Sequence, residues 1–445
     1  MLILSKRASL PIREYGSMRV PPARVVLGQI FLAVILFSVV LPVGAVRAPA
    51  ITWSRTYMPE AVNSVEETSD AGFVAAGRGF GLWVMKSNSA GESEWSRYYS
   101  PMGYGSDAEA LAVQQTRDGG FIVAGDAISD LYVTGIDALL VKLHPNGNVQ
   151  WSKTYGGRND DSFNIVEQTK EGGYVVAGNT ASVSSHVSNG WVLRLDLSGN
   201  IVWQEAFVGE DVHSVDQTQD GGFVVAGTVG VDNKAEGWVF KLDKDGRMVW
   251  QKAYEFAVTN WIKQTRDGGY VVAGGSSILR LDRIGNVVWE KLFNGGGYTQ
   301  LFSISETKDK GFILAGEFSP SESGHGISGP FLLKLDPGGA LLWQKIYRVD
   351  MLSDAQVTRD GGIIAAGGTQ KAWMLRLDGQ GRIGDCPLDV LSNATLIDSS
   401  AIGTKTRVSG IDSHTTVAQT STLVASATMY VLTQCARVAN RKEWQ

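Results

Sequence analysis

The architecture follows from the eleven residues QTRDGGFIVAG (Gln115–Gly125), because close copies of them return along the chain. Residues 217–227 are QTQDGGFVVAG and residues 264–274 are QTRDGGYVVAG. Looser copies bring the total to seven, each built on an acidic residue and a glycine-containing turn. The seven turns begin at Asp70, Asp118, Glu171, Asp220, Asp267, Asp309 and Asp360. The regular return of one motif indicates a repeat architecture.

Short runs typical of β-strands flank every copy. A segment ending in Thr precedes the turn, and a run such as FIVAG follows it. A third run such as WVFKLD and a fourth such as RMVWQKAY complete the unit. Short runs rich in Val, Ile and aromatic residues, separated by Gly, Asp and Asn, predict strands joined by hairpins. Each unit is therefore predicted to hold four antiparallel strands, which we call A to D.

The number of strands predicts a closed ring. The fourth-strand tryptophans recur about every 48 residues, which suits a four-stranded propeller blade. They are Trp53, Trp95, Trp151, Trp203, Trp250, Trp289 and Trp343. Seven A-B-C sets occupy residues 62–378, but only six D strands follow them. The orphan strand ITWSRTY (51–57) precedes the first set, so we expect it to complete blade seven. The fold class is all-β: a seven-bladed propeller over residues 49–385.

The segment KLDKDGRMVWQKAY (Lys241–Tyr254) resembles the tryptophan-docking repeat of quinoprotein-type propellers. Together with the glycine motif it is similar to secreted, mostly uncharacterised propeller-repeat proteins of archaea and bacteria. The resemblance covers residues 51–385 and implies the fold. Quinoprotein dehydrogenases of this kind have eight blades, an adjacent cysteine pair, and a Glu and an Asn for calcium. This chain has seven predicted blades and no adjacent cysteines, so no cofactor residue carries over.

The repeated turn is predicted to be structural. Phosphate-binding glycine loops open a helix, whereas a strand follows here. Calcium loops need several acidic oxygens, and each turn carries one. We expect a hairpin in which Gly takes positive φ and Asp accepts backbone amides. The basic residue of each C strand, such as Lys142 or Lys241, is expected to be exposed near a carboxylate. The tryptophans are expected to pack between blades, with glycan stacking as the alternative.

Residues 1–48 are predicted to be a signal peptide or a membrane anchor. The run 25–46 is apolar and uncharged, and basic residues precede it, as in secretory signals. Met18 is an alternative start. Cleavage after Ala45 would remove five basic residues and one acidic residue, which takes the formal net charge from −5 to −9. The body is therefore expected to be extracytoplasmic, acidic, unable to bind nucleic acid, and in contact with a membrane only through residues 25–46.

Residues 386–445 leave the repeat and form a Ser/Thr-rich extension, predicted to be β-like or partly disordered. Cys386 and Cys435 are the only cysteines of the chain. In an oxidising compartment we expect them to form a disulfide that staples this extension. Asn393 begins the glycosylation sequon NAT.

Functional residues are expected in the connections that do not repeat. The B-C and D-A connections share one side of the disc, which we call the loop face. Four long B-C loops are predicted there, at 126–137, 179–190, 228–237 and 317–330. The ligand-binding candidates on this face are His186, His213, His325, Asp137, Asp161 and Asp232.

The favoured function is a non-catalytic, monomeric binding module at the cell surface, engaging a protein or a glycan through the loop face. One alternative is a propeller enzyme, either a quinoprotein-type oxidoreductase or a metal-dependent hydrolase or lyase. Another is a lectin with one site per blade. No catalytic residue and no cofactor are assigned, and a bound quinone or divalent cation stays open.

Overall fold

The computed structural model divides into two units, residues 1–48 and 49–445. No residue of the first unit lies in the part of the chain that the structure describes. Of the second unit it describes residues 52–58, 61–100, 108–128, 135–183, 188–231, 234–255, 259–294, 297–320, 329–369 and 371–384. Of the C-terminal part it describes residues 389–391, 395–398, 410–411, 416–419, 423–426 and 430–437. The predicted signal or anchor segment and Asn393 lie outside these ranges.

Seven antiparallel sheets form the predicted seven-bladed propeller, and this prediction is confirmed. The A strands are β2 (Ala61–Glu67), β6 (Ala108–Gln115), β10 (Asp161–Gln168), β14 (Asp211–Gln217), β18 (Trp261–Gln264), β22 (Gly297–Glu306) and β26 (Asp354–Val357). The B strands are β3 (Phe73–Gly79), β7 (Phe121–Ile128), β11 (Tyr174–Thr180), β15 (Phe223–Val231), β19 (Tyr270–Gly274), β23 (Phe312–Pro320) and β27 (Ile363–Gly367). The A strands line the axis of the ring.

The C and D strands complete each blade toward the rim. The C strands are β4 (Gly81–Ser87), β8 (Ile136–Leu143), β12 (Asn189–Leu195), β16 (Lys234–Leu242), β20 (Ser277–Leu281), β24 (Gly329–Leu335) and β28 (Ala372–Leu377). The D strands are β1 (Thr52–Met58), β5 (Ser93–Ser100), β9 (Val149–Gly156), β13 (Ile201–Val208), β17 (Met248–Tyr254), β21 (Val287–Asn294) and β25 (Leu341–Tyr347).

Strand β1 closes the ring as predicted from the orphan tryptophan strand. It pairs antiparallel with β28, and Trp53 lies opposite Arg376. Blade seven is therefore built from both ends of the propeller segment. Seven clusters of buried apolar residues fill the seven junctions between neighbouring blades, the junction of blades seven and one included.

Tryptophan docking joins each blade to the next. Each D-strand indole lies against the glycine of the next blade's C-D hairpin, and every one of these glycines has a φ between +67° and +85°. A Cβ at Gly246 would lie 2.9 Å from the Trp203 ring, and one at Gly91 would lie 2.8 Å from Trp53. The pairs are Trp53–Gly91, Trp95–Gly147, Trp151–Gly199, Trp203–Gly246, Trp250–Gly285, Trp289–Gly339 and Trp343–Gly381.

The repeated turn adopts the predicted hairpin. In blade two, Asp118 Oδ1 accepts from the Gly120 N–H at 3.0 Å and from Thr116 Oγ1 at 2.5 Å. Partial burial would raise the pKa of Asp118, but hydrogen bonds from Thr116, Lys142 and Gly120 lower it overall. Gly119 has a φ of +79°, a region that glycine occupies without steric cost.

The C-strand cations are not exposed, which corrects the sequence-based expectation. Lys142 is 3% exposed and Lys241 is 4% exposed. Lys142 Nζ lies 2.9 Å from Asp118 Oδ2 and donates to the Leu143 carbonyl at 3.0 Å. The cation is thus buried against the hairpin turn of its own blade, where it fixes the aspartate. The free-energy cost of burying a charge is offset when the charge is both paired and hydrogen-bonded, as it is here.

The described strands of the C-terminal extension pair with the outer strands of the propeller blades. We call its six described strands the C-terminal belt: β29 (Asp389–Leu391), β30 (Thr395–Asp398), β31 (Gly410–Ile411), β32 (Thr416–Gln419), β33 (Leu423–Ser426) and β34 (Tyr430–Arg437). They pair antiparallel with the D strands of blades six, five, three, two, one and seven, in that order. Cys435 lies in β34 opposite Ser54. Cys386 lies outside the described residues, so the disulfide stays a prediction.

We expect Gly246→Ala to destabilise the propeller by about 2–4 kcal/mol, because a left-handed φ and a clash with Trp203 add together. Gly209→Ala should cost about 1–2 kcal/mol, since Gly209 has a φ of +78° but no heavy atom within 4 Å of its Cβ position. Gly230→Ala, free of both constraints, should change stability by less than about 0.5 kcal/mol. Urea unfolding of the three variants measures this order. Equal stability of the Gly246 and Gly209 variants would contradict a role for tryptophan docking.

Candidate functional site

The A strands surround a polar channel on the propeller axis, with a cavity of about 220 Å³. In six of the seven units, the residue two positions before the repeated Thr lies at the wall of this cavity. The residues at this position differ from blade to blade: Glu66, Gln114, Glu167, Asp216, Lys263, Ser305 and Gln356. Three carboxylates of the ring, those of Asp216, Glu167 and Glu66, act on the ammonium group of Lys263, and Asp354 adds a fourth carboxylate that acts on Glu66. The sequence analysis missed this ring. The sequence feature that could have revealed this ring is a polar position that varies from blade to blade within a strand whose other positions repeat.

Lys263 is the counter-ion of the channel. Its Nζ lies 2.6 Å from Asp216 Oδ1. Burial alone would lower the pKa of Lys263, but Asp216 and Glu167 raise it overall. The side chain keeps 43% of its surface open, which is explained by water access along the channel. The ammonium therefore stays charged inside the channel.

Glu66, Asp354 and Glu167 have raised pKa values in the channel. Burial raises the pKa of Glu66 to about 7, although a hydrogen bond from the Gln115 N–H and the charge of Lys263 oppose the shift. Burial also raises the pKa of Asp354 to about 6, against a hydrogen bond from the Val65 N–H. The pKa of Glu167 is raised by burial in the same way, with Lys263 opposing.

Most of these side chains also tie neighbouring blades together. Glu167 Oε2 accepts from the Gln217 N–H of the next blade at 2.9 Å, and Asp216 Oδ2 accepts from the Gln264 N–H at 2.7 Å. Gln114 and Ser305 accept in the same way from Gln168 and Val357. The channel groups therefore have structural partners, and their arrangement holds the ring together without a ligand.

A second circuit of hydrogen bonds runs through the repeated motif. At six of the seven junctions, the residue after the repeated Thr donates its N–H to a Gln or Glu of the next blade, as Arg117 does to Gln168 Oε1 at 2.9 Å. The other described links are Ser69 to Gln115, Lys170 to Gln217, Gln219 to Gln264, Arg266 to Glu306 and Arg359 to Glu67. The last link joins blade seven to blade one. At the sixth junction Val357 replaces the acceptor, and Lys308 Nζ donates instead to the Arg359 carbonyl.

His213 lies on the inner strand of blade four, at a bulge in the pairing of β14 with β15. Blades one, three and five place asparagine at the equivalent position, at Asn63, Asn164 and Asn260. There Asn164 Nδ2 donates to the Val212 carbonyl and Asn260 Nδ2 to the Leu301 carbonyl of the following blade. His213 Nε2 lies 3.4 Å from Thr228 Oγ1. Burial lowers the pKa of His213, with Asp211 opposing, so the ring is neutral at neutral pH.

Two of the predicted candidates come together on the loop face. Asp137 and Asp161 flank Gly156, where a Cβ would lie 2.7 Å from Asp137 Oδ1 and 2.3 Å from Asp161 Oδ2. Asp161 Oδ2 accepts from the Gly157 N–H at 3.0 Å and from Ser182 Oγ at 2.8 Å. Burial raises the pKa of Asp161 against these bonds. His186, His325 and Asp232 lie outside the described residues, and their predicted roles stay predictions.

The loop face is acidic above blades two to four. The described carboxylates of its connections there are Glu109, Asp126, Asp137, Asp160, Asp161, Glu210, Asp211 and Glu236, against the cations Arg158 and Lys234. Part of this surface is more regular than predicted, because the B-C connection of blade four continues the β15–β16 ladder as far as Val231 and Lys234.

Glu109 and Asp126 are paired directly across the β6–β7 ladder. Burial raises the pKa of Asp126 to about 6, and repulsion from Glu109 adds to the shift, while Ser162 and Arg78 oppose it. Arg78 Nη1 lies 3.9 Å from Glu109 Oε2 and is itself largely exposed. Like charges directly opposite on a sheet are destabilising. The repulsion within the pair is partly offset by these contacts and by Asn63 Nδ2, which donates to Glu109 Oε1 at 2.7 Å.

No group of three or more His, Cys, Asp or Glu side chains in the described ranges has the arrangement of a metal site. The same residues include no helix long and apolar enough to cross a membrane. No protein-family model matches the chain, and no curated protein matches it either.

Solved structures resemble the chain in architecture. The WD40 β-propeller domain of Doa1 superposes with a TM-score of 0.52 at 10% identity, covering 74% of this chain and 97% of that one. The Dos1 propeller gives a TM-score of 0.48 at 12% identity, over 73% of this chain and 94% of the other. This chain has the β-propeller fold. At these identities the likeness extends to the fold alone, and the resemblance to quinoprotein repeats stays a prediction.

We expect Lys263→Met to destabilise the protein by roughly 1–3 kcal/mol at pH 8, because it leaves channel carboxylates without their counter-ion. The loss of stability caused by this substitution should be smaller at pH 5. The raised pKa values of Glu66, Asp354 and Glu167 mean that the folded state keeps protons that the unfolded state has lost between about pH 4.5 and 7. That contribution to stability is present at low pH and disappears as the pH rises through the folded pKa values.

Unfolding free energies at pH 5 and pH 8 measure this difference. Lys308→Met is the matched control, since the exposed Lys308 donates to a backbone carbonyl and its loss should have the same effect at both pH values. A Lys263→Met penalty that did not change with pH would contradict the proposed charge balance of the channel.

Proposed function

We propose that this chain is an extracytoplasmic, non-catalytic binding module. Its acidic loop face above blades two to four would bind a basic surface of a partner protein. The observation that carries the proposal is the Glu109–Asp126 pair, where two carboxylates oppose each other directly and one pKa is raised. A cation from a partner would relieve that repulsion. Complementary charge of this kind gives both specificity and a fast encounter.

The repeated charged groups, the docking tryptophans and the channel carboxylates have structural partners. The C-strand cations fix the hairpin aspartates, the channel carboxylates accept from neighbouring blades, and the tryptophans lie against hairpin glycines. The loop face above blades two to four instead carries an excess of carboxylates over the cations Arg158 and Lys234. This contrast favours the loop face over the channel and over the hairpin side, where a lectin with one site per blade would need its aromatic residues free.

The location outside the cytoplasm is part of the proposal and rests on residues 25–46. An acidic body suits it, because the formal charge becomes −9 after cleavage at Ala45. The same acidity argues for a basic protein partner rather than a polyanionic one. N-terminal sequencing of the secreted chain would locate the cleavage site.

We expect an arginine decapeptide to bind the protein, and the affinity to fall as salt is raised from 20 to 300 mM, because exposed charges are screened. Binding should also weaken from pH 7.5 to pH 5, since Asp126 becomes protonated below a pKa of about 6. The triple variant Glu109→Gln, Asp160→Asn, Asp211→Asn should lose most of the binding in a calorimetric titration.

The matched control carries the same number of neutralised carboxylates on the opposite side: Glu92→Gln, Glu171→Gln and Asp245→Asn. Equal loss in both triple variants would mean that net charge, and not the loop face, attracts the peptide. Retained binding in the loop-face variant would contradict the proposal outright.

A further inference from the structure

The axial channel has a second layer of side chains beside the ring that contains Lys263. Because alternate residues of a strand face the same side, the residue four positions before each repeated Thr shares the axial face with the residue two positions before it. The A strands run from the loop face toward the repeated turn, so this second layer lies nearer the loop face. We call it the Asp354 layer, after its one charged member. The residues between the two layers are apolar and buried, as Val65 and Ile262 are.

Side chains of the Asp354 layer accept hydrogen bonds from backbone N–H groups of the next blade. Serine oxygens do so in three blades, and the pairs are Ser64–Val113, Ser214–Ile262 and Ser303–Ala355. In blade seven, Asp354 Oδ2 accepts from the Val65 N–H at 3.1 Å. A single hydroxyl oxygen is therefore enough for this contact. Asp354 brings a second oxygen and a negative charge that the contact does not use.

The second oxygen of Asp354 has no partner among the described residues. Asp354 is 3% exposed, and its Oδ1 is buried without a hydrogen bond, although the side chain lines the axial cavity. A buried acceptor without a donor costs free energy, and a buried charge without a counter-charge costs more. Lys263 is engaged elsewhere, since its Nζ lies 2.6 Å from Asp216 of blade four. Asp354 therefore offers an acceptor to a group that enters the cavity.

A second carboxylate of the cavity lies close enough to Asp354 to be repelled by it. Burial raises the pKa of Glu66, and the charge of Asp354 adds to the shift. Glu66 and Asp354 both line the cavity, on the neighbouring blades one and seven. A positive charge in the cavity would be attracted by both carboxylates.

The remaining walls of the cavity are aromatic and apolar on the side of the Asp354 layer. Trp261 lines the cavity on blade five, and the face of an indole attracts cations. Ala112 and Ile165 add apolar surface on blades two and three. The volume of about 220 Å³ has room for several water molecules or for one small organic cation. Solvent reaches the channel, because the Lys263 side chain keeps 43% of its surface open.

We propose that the axial cavity binds a small primary alkylammonium ion. Asp354 Oδ1 accepts from its N–H groups, and the Trp261 ring lies beside its charge. Ala112 and Ile165 contact its alkyl chain. A metal ion fits the cavity less well, because no three His, Cys, Asp or Glu side chains of the described residues have the arrangement of a metal site. A quaternary ammonium ion has no N–H group to donate to Oδ1.

Calorimetric titration with propylammonium chloride at pH 7.5 tests this site. The ligand is then charged, since an alkylammonium group such as that of lysine has a pKa of about 10, and Asp354 is ionised above its pKa of about 6. Potassium chloride and tetramethylammonium chloride at the same ionic strength provide the comparison cations. We expect propylammonium to bind at a single site and the comparison cations not to bind. Equal binding of either comparison cation, or no binding of propylammonium, would overturn the proposal.

Asp354→Asn removes the charge of the carboxylate and keeps its shape. The Val65 N–H still requires an acceptor, so the amide oxygen takes the place of Oδ2 and the NH₂ group takes the place of Oδ1. The ligand then meets a donor where it needs an acceptor, and its dissociation constant should rise about tenfold or more. Melting curves show whether the variant is folded. An unchanged dissociation constant in the folded variant would count against the site.

Two substitutions of Trp261 separate the aromatic face from the bulk of the side chain. Trp261→Phe keeps a ring beside the ligand and Trp261→Leu does not, so the phenylalanine variant should bind propylammonium more tightly. Equal affinities of the two folded variants would show that the ring does not contact the cation.

The site shares no residue with the proposed function, and one control separates the two. The loop-face variant Glu109→Gln, Asp160→Asn, Asp211→Asn should lose the arginine decapeptide but bind propylammonium as the unchanged protein does. If this variant also lost propylammonium, the amine would lie on the loop face and the axial site would be wrong. Binding of a lysine-containing peptide in place of the free amine would overturn the assignment of a small ligand.

Discussion

Every blade depends on one contact, the packing of a D-strand indole against the hairpin glycine of the next blade. The glycine must be in the left-handed region and must also lack a Cβ, because the ring occupies that space. Since each contact joins neighbours, seven of them close a circle only if the number of tryptophans equals the number of hairpins. Trp53 meets this condition for the last junction by docking on Gly91. The separation of β1 from the rest of blade seven along the chain follows from it.

Hydrogen bonds between neighbouring blades add to this packing. In an outer set, the backbone N–H after the repeated Thr donates to a Gln or Glu of the following blade at six of the described junctions. In an inner set, side chains of the channel accept hydrogen bonds from backbone N–H groups. The two sets run in opposite directions, because in the inner set the backbone N–H belongs to the following blade and the side-chain acceptor to the preceding one. The repeated Gln of the QT pair, the Asp of the turn and the C-strand cation are thereby explained by the fold, which leaves the non-repeated positions for function.

Two kinds of non-repeated position emerge, and they differ in their partners. The channel carboxylates accept hydrogen bonds from the next blade, and three of them share the internal cation Lys263. The loop face carries carboxylates that oppose each other, as Glu109 and Asp126 do. The excess of carboxylates over cations on that face is what supports the proposed binding of a basic partner.

The number of blades, the closing strand 51–57 and the hairpin role of the repeated turn could be predicted from the sequence, because they depend on local strand patterns and on counting. The burial of Lys142 could not, since a basic residue at the end of a strand has the same pattern whether it faces water or a turn aspartate. The channel ring was hidden for a related reason: its members share a position but not a residue type.

The candidate site was predicted only as a face of the disc. Sequence placed Asp137, Asp161 and His213 on it, but the tertiary structure decided that the two aspartates meet at Gly156 and that His213 takes the place of a bridging asparagine. The belt shows the same division. Its strands are too short to be recognised one by one in the sequence. The ring of D strands, which offers one edge per blade, decides where each of them pairs.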